Sequence, residues 1–326
     1  MLNKKPFKLD DRAAGMSFDI TPPARKKDDI PPVPIEKALD LVARQMRSMG
    51  RRPRTIESYE YIFNKFTEAL GIKYVHEINA DSIFEYFEQL DVSLSTKLIR
   101  LKTIKAVLSR LYDNGLIPYK FWKNIQITVD TDVKEEADIN DIALLLNLID
   151  KTTFTGFRDA CAILLMYRTG IRINTLGELR ERHIDFNTLE LVLDGSIMKG
   201  RSLLKLPIDE QLSDNLKRLI KENDKVRNYY GVKNDYVFIT TRGNGINNSR
   251  SKTNVISKRL SHYAKLYGLK NINSHAIRRA YAKNLLKNGA NIALISKALG
   301  HKDLSTTTRY LHLDVDEVAQ ELREFL

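Results

Sequence analysis

Residues 274–282 read Ser-His-Ala-Ile-Arg-Arg-Ala-Tyr-Ala, and residues 299–310 read Leu-Gly-His-Lys-Asp-Leu-Ser-Thr-Thr-Thr-Arg-Tyr. Between them they supply His275, Arg278, His301 and Tyr310. Upstream, Thr169-Gly170-Ile171-Arg172-Ile173 adds a second arginine, and Met198-Lys199-Gly200 adds a lysine. Taken singly, each is weak: His-x-x-Arg on a helix is commonly a surface pair, Leu-Gly-His a helix C-cap, and a tyrosine core or surface. Their joint order and spacing carry the reading. Two arginines, a lysine, two histidines and a tyrosine suit a phosphodiester attacked by a phenol oxygen. That reaction builds negative charge on the non-bridging oxygens, which arginine meets with a planar fork of permanently charged donors. A lysine can protonate the departing 5′ oxygen, and an imidazole can take up or relay the phenol proton near neutral pH. A phenol, with an ordinary pKa near ~10, needs nearby cations to become a nucleophile.

These strings resemble the motifs of the tyrosine recombinases, the phage integrase family. Residues 169–173 are similar to that family's first arginine motif. Met198-Lys199-Gly200 before Leu206-Pro207-Ile208 resembles its β-hairpin lysine, residues 274–282 its His-x-x-Arg box, and Leu299-Gly300-His301 through Tyr310 its terminal box. Arg54-Thr55 and Tyr59 look like part of its core-binding domain. The resemblance covers about residues 35–326. It implies a mainly α fold with a small β-sheet, acting on double-stranded DNA without metal or other cofactor. It also implies a 3′-phosphotyrosine at Tyr310 and a released 5′ hydroxyl. Arg172, Arg278 and His301 would hold the transition state, with Lys199 as general acid and His275 as general base. Four protomers would assemble on DNA, with a last helix over about 314–325 docking on a neighbour.

The chain departs from the family pattern at Thr175, three residues after Arg172, where an acidic residue is usual. Arg201-Ser202-Leu203-Leu204 replaces a more basic run after the lysine, and Arg279 stands where histidine is common. Two functions therefore stay open: an active recombinase of phage or mobile-element type, and a recombination-inactive DNA-binding regulator, such as a phage repressor of transcription.

The rest of the sequence fits a nucleic-acid partner. Net charge is +12 over 326 residues, which favours a polyanion. The one cysteine, Cys161, lies in an apolar run, so disulfides within the chain and cysteine zinc sites are excluded and a buried structural thiol is expected. No run approaches the ~20 apolar residues of a membrane helix, so no membrane partner and a cytoplasmic, nucleoid-associated location are expected.

Residues 1–34 hold six of the nine prolines and show no period, which predicts a flexible arm. Helical periodicity predicts a helical domain over 35–127, which the resemblance makes the core-binding, DNA-binding domain, with helices at 35–49, from an N-cap at Thr55, from Asn79 or Asp81, and over 94–112. Lys97 and Lys105 fall within the apolar arc of that last helix, leaving a snorkelling and a phosphate-binding reading about level. The polar stretch 128–137 reads as a linker, and 138–326 as a second domain, the catalytic one by the resemblance, with Asp138 capping its first helix. Short strands are expected within 189–208, where Ser196-Ile197-Met198 is one segment, and helices near 250–267, 275–288, 291–299 and 303–309. On charge, Arg51, Arg52, Arg54, Lys97, Arg100, Lys105, Arg250 and Lys252 are the candidate DNA contacts, phosphates first.

Overall fold

The computed structural model describes residues 32–129, 135–200, 202–248, 254–301 and 303–311, without the side chains of Arg309 and Tyr310. The chain divides into two compact units, Met1–Thr131 and Asp132–Leu326.

The first unit is helical. Helix α1, Ile35–Ser48, buries Ile35, Ala38, Leu39, Val42, Ala43 and Met46, one stripe at the i, i+3, i+4 spacing. Helix α2 runs Pro53–Ala69. It starts two residues before the expected Thr55 cap, because Pro53 presets the helical φ at the first position and its missing N–H costs nothing there. Asn79 caps α3, Ala80–Glu88, by accepting the Ser82 N–H at 2.9 Å. Helix α4, Leu94–Asp113, starts from Ser93 and ends before Gly115, whose φ is +75°. Phe63, Phe66, Tyr86 and Phe87 form an edge-to-face chain with centroids 5.3–5.7 Å apart, which locks α2 onto α3. Val33 and Pro34, placed in the arm by the sequence, are fixed to this unit. The Val33 carbonyl accepts the Val75 N–H at 2.9 Å, and Pro34 bridges Tyr74. The rest of the predicted arm, 1–31, lies outside the described residues.

The second unit is built on α6, Phe154–Thr169, after a short α5, Ile139–Leu148, that Asp138 does cap. Helix α6 buries residues on nearly every side, from Gly156 and Arg158 to Met166 and Thr169. Burial pushes the Cys161 thiol up to about 12, as expected for an inert packing residue. Arg158 and Asp159, 2% and 1% exposed, anchor it: the guanidinium forks onto Asp159 at 2.7 and 3.0 Å, while Arg259 and Tyr263 reach the other carboxylate oxygen at 2.7 and 2.9 Å.

Helix α7, Ile173–Gly177, leads to a meander of β1 (Ile184–Asp185), β2 (Glu190–Leu193) and β3 (Leu204–Pro207). It is antiparallel, with Leu191 opposite Leu206 and Leu193 opposite Leu204. Ser196-Ile197-Met198 is a turn, not a strand: Asp194 Oδ1 accepts the Ser196 N–H at 2.7 Å and bends the chain there. Helix α8, Glu210–Tyr230, carries no strong sequence signal and was not expected. Its buried stripe begins with Leu212, Leu216 and Leu219 but continues through Asn223 and Arg227. Both polar side chains are bonded inside, Asn223 to the Val237 carbonyl at 2.8 Å and Arg227 to Glu181 at 2.8 Å.

Helices α9 (Val255–Tyr267), α10 (Ser274–Lys287), α11 (Ile292–Ala298) and α12 (Leu304–Leu311) complete the unit, and the expected helix at 314–325 lies outside the described residues. Residues 135–137, assigned to the linker by their polarity, are strapped to α10: Ala137 donates to the Ala276 carbonyl at 3.1 Å, and Arg279 donates to the Glu135 carbonyl at 2.6 and 2.9 Å.

Candidate active site

Two glycine turns aim the arginines. Helix α6 ends at Gly170 in the left-handed region, φ +59°, and the chain straightens through Ile171 and Arg172 before α7 begins. A Cβ on Gly170 would lie 2.2 Å from the Tyr281 ring, so only glycine fits. Helix α11 ends at Gly300, φ +58°, with Gly300 N–H on the Lys297 carbonyl and His301 N–H on the Ser296 carbonyl, a Schellman closure. The closure leaves the Leu299 carbonyl and the His301 ring on the side of α10.

Arg278, 3% exposed, projects from α10 into this junction. It donates to the Gly170 carbonyl, to the Leu299 carbonyl at 2.5 Å and to His301 Nε2 at 3.1 Å. Arg172 donates to the same Leu299 carbonyl at 3.3 Å. The three elements that carry Arg172, Arg278 and His301 thus meet on one backbone oxygen. Because a guanidinium only donates, His301 Nε2 is the acceptor, and the ring proton sits on Nδ1, 2.9 Å from the Thr307 hydroxyl. Burial, then Arg278 and Arg172, lower the His301 pKa to about 4, so the ring is neutral at working pH. Two cations and a neutral imidazole in one cradle suit a tetrahedral anion.

The remaining candidates are placed as follows. His275 is exposed in the first turn of α10, which Asn273 caps through the His275 and Ala276 N–H groups at 3.1 and 3.0 Å. Lys199 is exposed in the turn between β2 and β3. Tyr310 lies on α12, one turn past the buried Thr307 that holds His301, and its side chain is not described. Thr175, 2% exposed, directs its hydroxyl to the Ile197 carbonyl at 3.4 Å, so it meets the lysine turn.

In the first unit Arg51, Arg52 and Arg54 are exposed at the start of α2. The three candidates on α4 are each bonded within the unit. Lys97 donates to the Phe87 carbonyl at 2.7 Å, Lys105 to the Lys123 carbonyl at 3.2 Å, and Arg100 to the Tyr86 hydroxyl at 3.1 Å. Burial lowers the Lys105 pKa. Both lysine amines thus rest on backbone carbonyls of the first unit. Arg250 and Lys252 lie outside the described residues. Sequence reasoning missed Thr307, whose only signal was its helical spacing from Tyr310, and missed the Leu299 carbonyl, which no side-chain pattern can reveal. Among the described residues no group of three His, Cys, Asp or Glu side chains could hold a metal ion.

Residues 137–317 match the model of the phage integrase family. The chain belongs to that family. Among its relatives, the tyrosine recombinase XerD of Chlamydia pneumoniae is 25% identical over 288 residues, spanning 83% of this chain and 89% of its own. Two solved structures share the fold. A Tn1549 transposon integrase in complex with transposon right end DNA superposes with a TM-score of 0.68 at 16% identity, over 88% of this chain and 99% of that one. A lambda integrase dimer bound to a COC′ core site gives 0.65 at 16% identity, over 86% and 77%.

Proposed function

We propose that this integrase-family protein is a site-specific recombinase that cuts and rejoins double-stranded DNA through Tyr310. The observation that carries the reading is the convergence of Arg172 and Arg278 on the Leu299 carbonyl, with neutral His301 bonded to Arg278 and the helix of Tyr310 following directly. In this reading the scissile phosphate takes the place in front of that junction, and both guanidinium groups bind its non-bridging oxygens. The Tyr310 oxygen forms a bond to phosphorus and passes its proton to His275. The P–O5′ bond breaks, and the Lys199 ammonium gives its proton to the leaving oxygen. The product is a 3′-phosphotyrosine and a 5′ hydroxyl. The bond energy is kept in the phosphotyrosine, so rejoining is the reverse transfer to a new 5′ hydroxyl.

Double-stranded DNA as partner is supported by the +12 net charge and by relatives solved on transposon-end and core-site DNA. The exposed Arg51, Arg52 and Arg54 are the phosphate contacts favoured in the first unit. Strand exchange requires two duplexes cut on one strand each in turn, which calls for a tetramer on DNA.

The test is a duplex carrying the protein's site with a nick beside the cleavage point, so that the released fragment diffuses away. A covalent protein–DNA adduct is expected, and Tyr310→Phe abolishes it. Specific binding with no adduct from the unaltered protein refutes the enzyme and leaves the regulator that Thr175 favours. In either case affinity falls steeply with salt, as phosphate contacts displace counterions.

A further inference from the structure

Lys199 is exposed, so the turn that carries it decides where its ammonium can go. That turn is tied down at its start by a relay from the body of the unit. His183 is 3% exposed in the 3-10 turn before β1, and its Nδ1 accepts the Arg180 N–H at 3.0 Å. With Nδ1 committed as acceptor, the single proton of the neutral ring lies on Nε2, which faces Asp194 Oδ2 at 3.2 Å. The other oxygen of Asp194 accepts the Ser196 N–H at 2.7 Å and the Ser196 hydroxyl. One buried imidazole and one carboxylate therefore link the Arg180 backbone to Ser196, three residues before Lys199.

Further along, the turn touches the two segments that carry the cradle. The Ile197 carbonyl accepts from Thr175 on α7, which starts just after Arg172. Met198, 3% exposed, packs its methyl 2.9 Å from where a Cβ on Gly300 would stand, beside His301. Of these ties, the Met198 contact is apolar and adaptable, and the Thr175 bond is long. The His183–Asp194 link is the polar tie that joins the turn to the sheet.

We propose that His183 and Asp194 are positioning residues that set the reach of the Lys199 ammonium toward the leaving 5′ oxygen. This rests on the reading of Lys199 as general acid, and extends it to two residues that touch neither DNA nor the reacting atoms. A shift of about 1 Å at such a group can cost ~10²-fold in rate.

The test is the single-turnover rate of adduct formation on two nicked duplexes, one with the ordinary 5′ oxygen at the scissile bond and one with sulfur in that bridging position. A thiolate leaves without being protonated, since a thiol has a pKa near ~8.5 where an alcohol's is far higher. His183→Asn keeps an oxygen at the Nδ1 position to accept the Arg180 N–H, and removes the donor to Asp194. Asp194→Asn is the second variant, kept in case His183→Asn does not fold. Either is expected to slow adduct formation on the oxygen substrate by ~10–100-fold, to leave DNA affinity within about twofold, and to recover most of the rate on sulfur, as Lys199→Ala does. Equal losses on both substrates would mean a merely structural role, and an unchanged rate no role; each overturns the proposal. If Lys199→Ala is unimpaired or not rescued by sulfur, the reading of Lys199 itself fails, whatever the His183 variant does.

Discussion

Replacing Gly170 by alanine tests whether the turn that aims Arg172 is built as described. Two costs add. An L-residue held at φ +59° loses about 1–2 kcal/mol relative to glycine. The new methyl would sit 2.2 Å from Cδ1 of Tyr281, a ring only 9% exposed on α10, so it cannot swing aside without moving that helix. Such overpacking costs typically ~1–3 kcal/mol. The expected loss is therefore about 3 kcal/mol, and it falls on the second unit. With a urea slope of about 2 kcal/mol/M, the far-UV circular dichroism midpoint of that unit drops by roughly 1.5 M. The single tryptophan, Trp122, is buried in the first unit, so its fluorescence reports that unit rather than the one carrying the substitution. Adding Tyr281→Ala should recover the contact cost when Gly170→Ala is measured in that background, leaving about 1–2 kcal/mol for the backbone. A total below about 1 kcal/mol, or no relief from removing the ring, would refute the close approach of α6 and α10 on which the Arg278–Gly170 bond depends.

Other consequences can be checked as directly. The His301 ring should titrate near 4 by NMR and rise when vanadate or DNA occupies the cradle. Because its folded pKa lies below the unfolded ~6.5, stability is full above pH 6.5 and declines as pH falls toward 4, with no further loss from this group below that. Asp159→Asn leaves Arg158 buried without its counter-charge and should cost ~3–5 kcal/mol in urea denaturation of the second unit. Arg279→Ala removes two charged hydrogen bonds to the Glu135 carbonyl, so glutamyl endopeptidase should cut after Glu135 and Glu136 faster than in the unaltered chain. Thr175→Val keeps the shape and deletes the donor to Ile197, and should cost about 1 kcal/mol in stability by leaving a carbonyl short of its partner.

The parts of the fold legible in the sequence are those where one face is apolar and the ends are marked. Helix α1 shows six buried positions at helical spacing, and Asn79 and Asp138 cap where their side chains predict. Helix α8 was not legible, because its buried stripe ends in Asn223 and Arg227, which are held by backbone and side-chain partners outside the helix rather than by apolar contact. The same reason hid residues 135–137: their polarity looks like a linker until Arg279 and Asn271 supply donors to the Glu135 carbonyl. In the site, residue types announced the chemistry, since guanidinium, imidazole and phenol are recognisable alone. What could not be read was how they are fixed. The anchors are backbone carbonyls at Gly170 and Leu299, and every residue has one of those.

Thr175 shows why a departure from a family pattern must be judged by its surroundings. From sequence, threonine there only marks the absence of the acidic residue usual in the family. In the structure the hydroxyl at 175 donates to the Ile197 carbonyl in the turn before Lys199. A carboxylate in that place, buried and ionised, would set its acceptor oxygens against a carbonyl that is itself only an acceptor, so this turn could not pack as it does. The exchange therefore does more than delete a charge: it lets the lysine turn close on α7. It also leaves a neutral side chain on the helix that starts just after Arg172, one of the two arginines that, with burial, hold His301 neutral. On the proposed reading of Lys199 as general acid, turnover depends on how firmly its turn is held, so variants of His183 and Asp194, as well as of Thr175, are the ones that would separate recombinase from regulator.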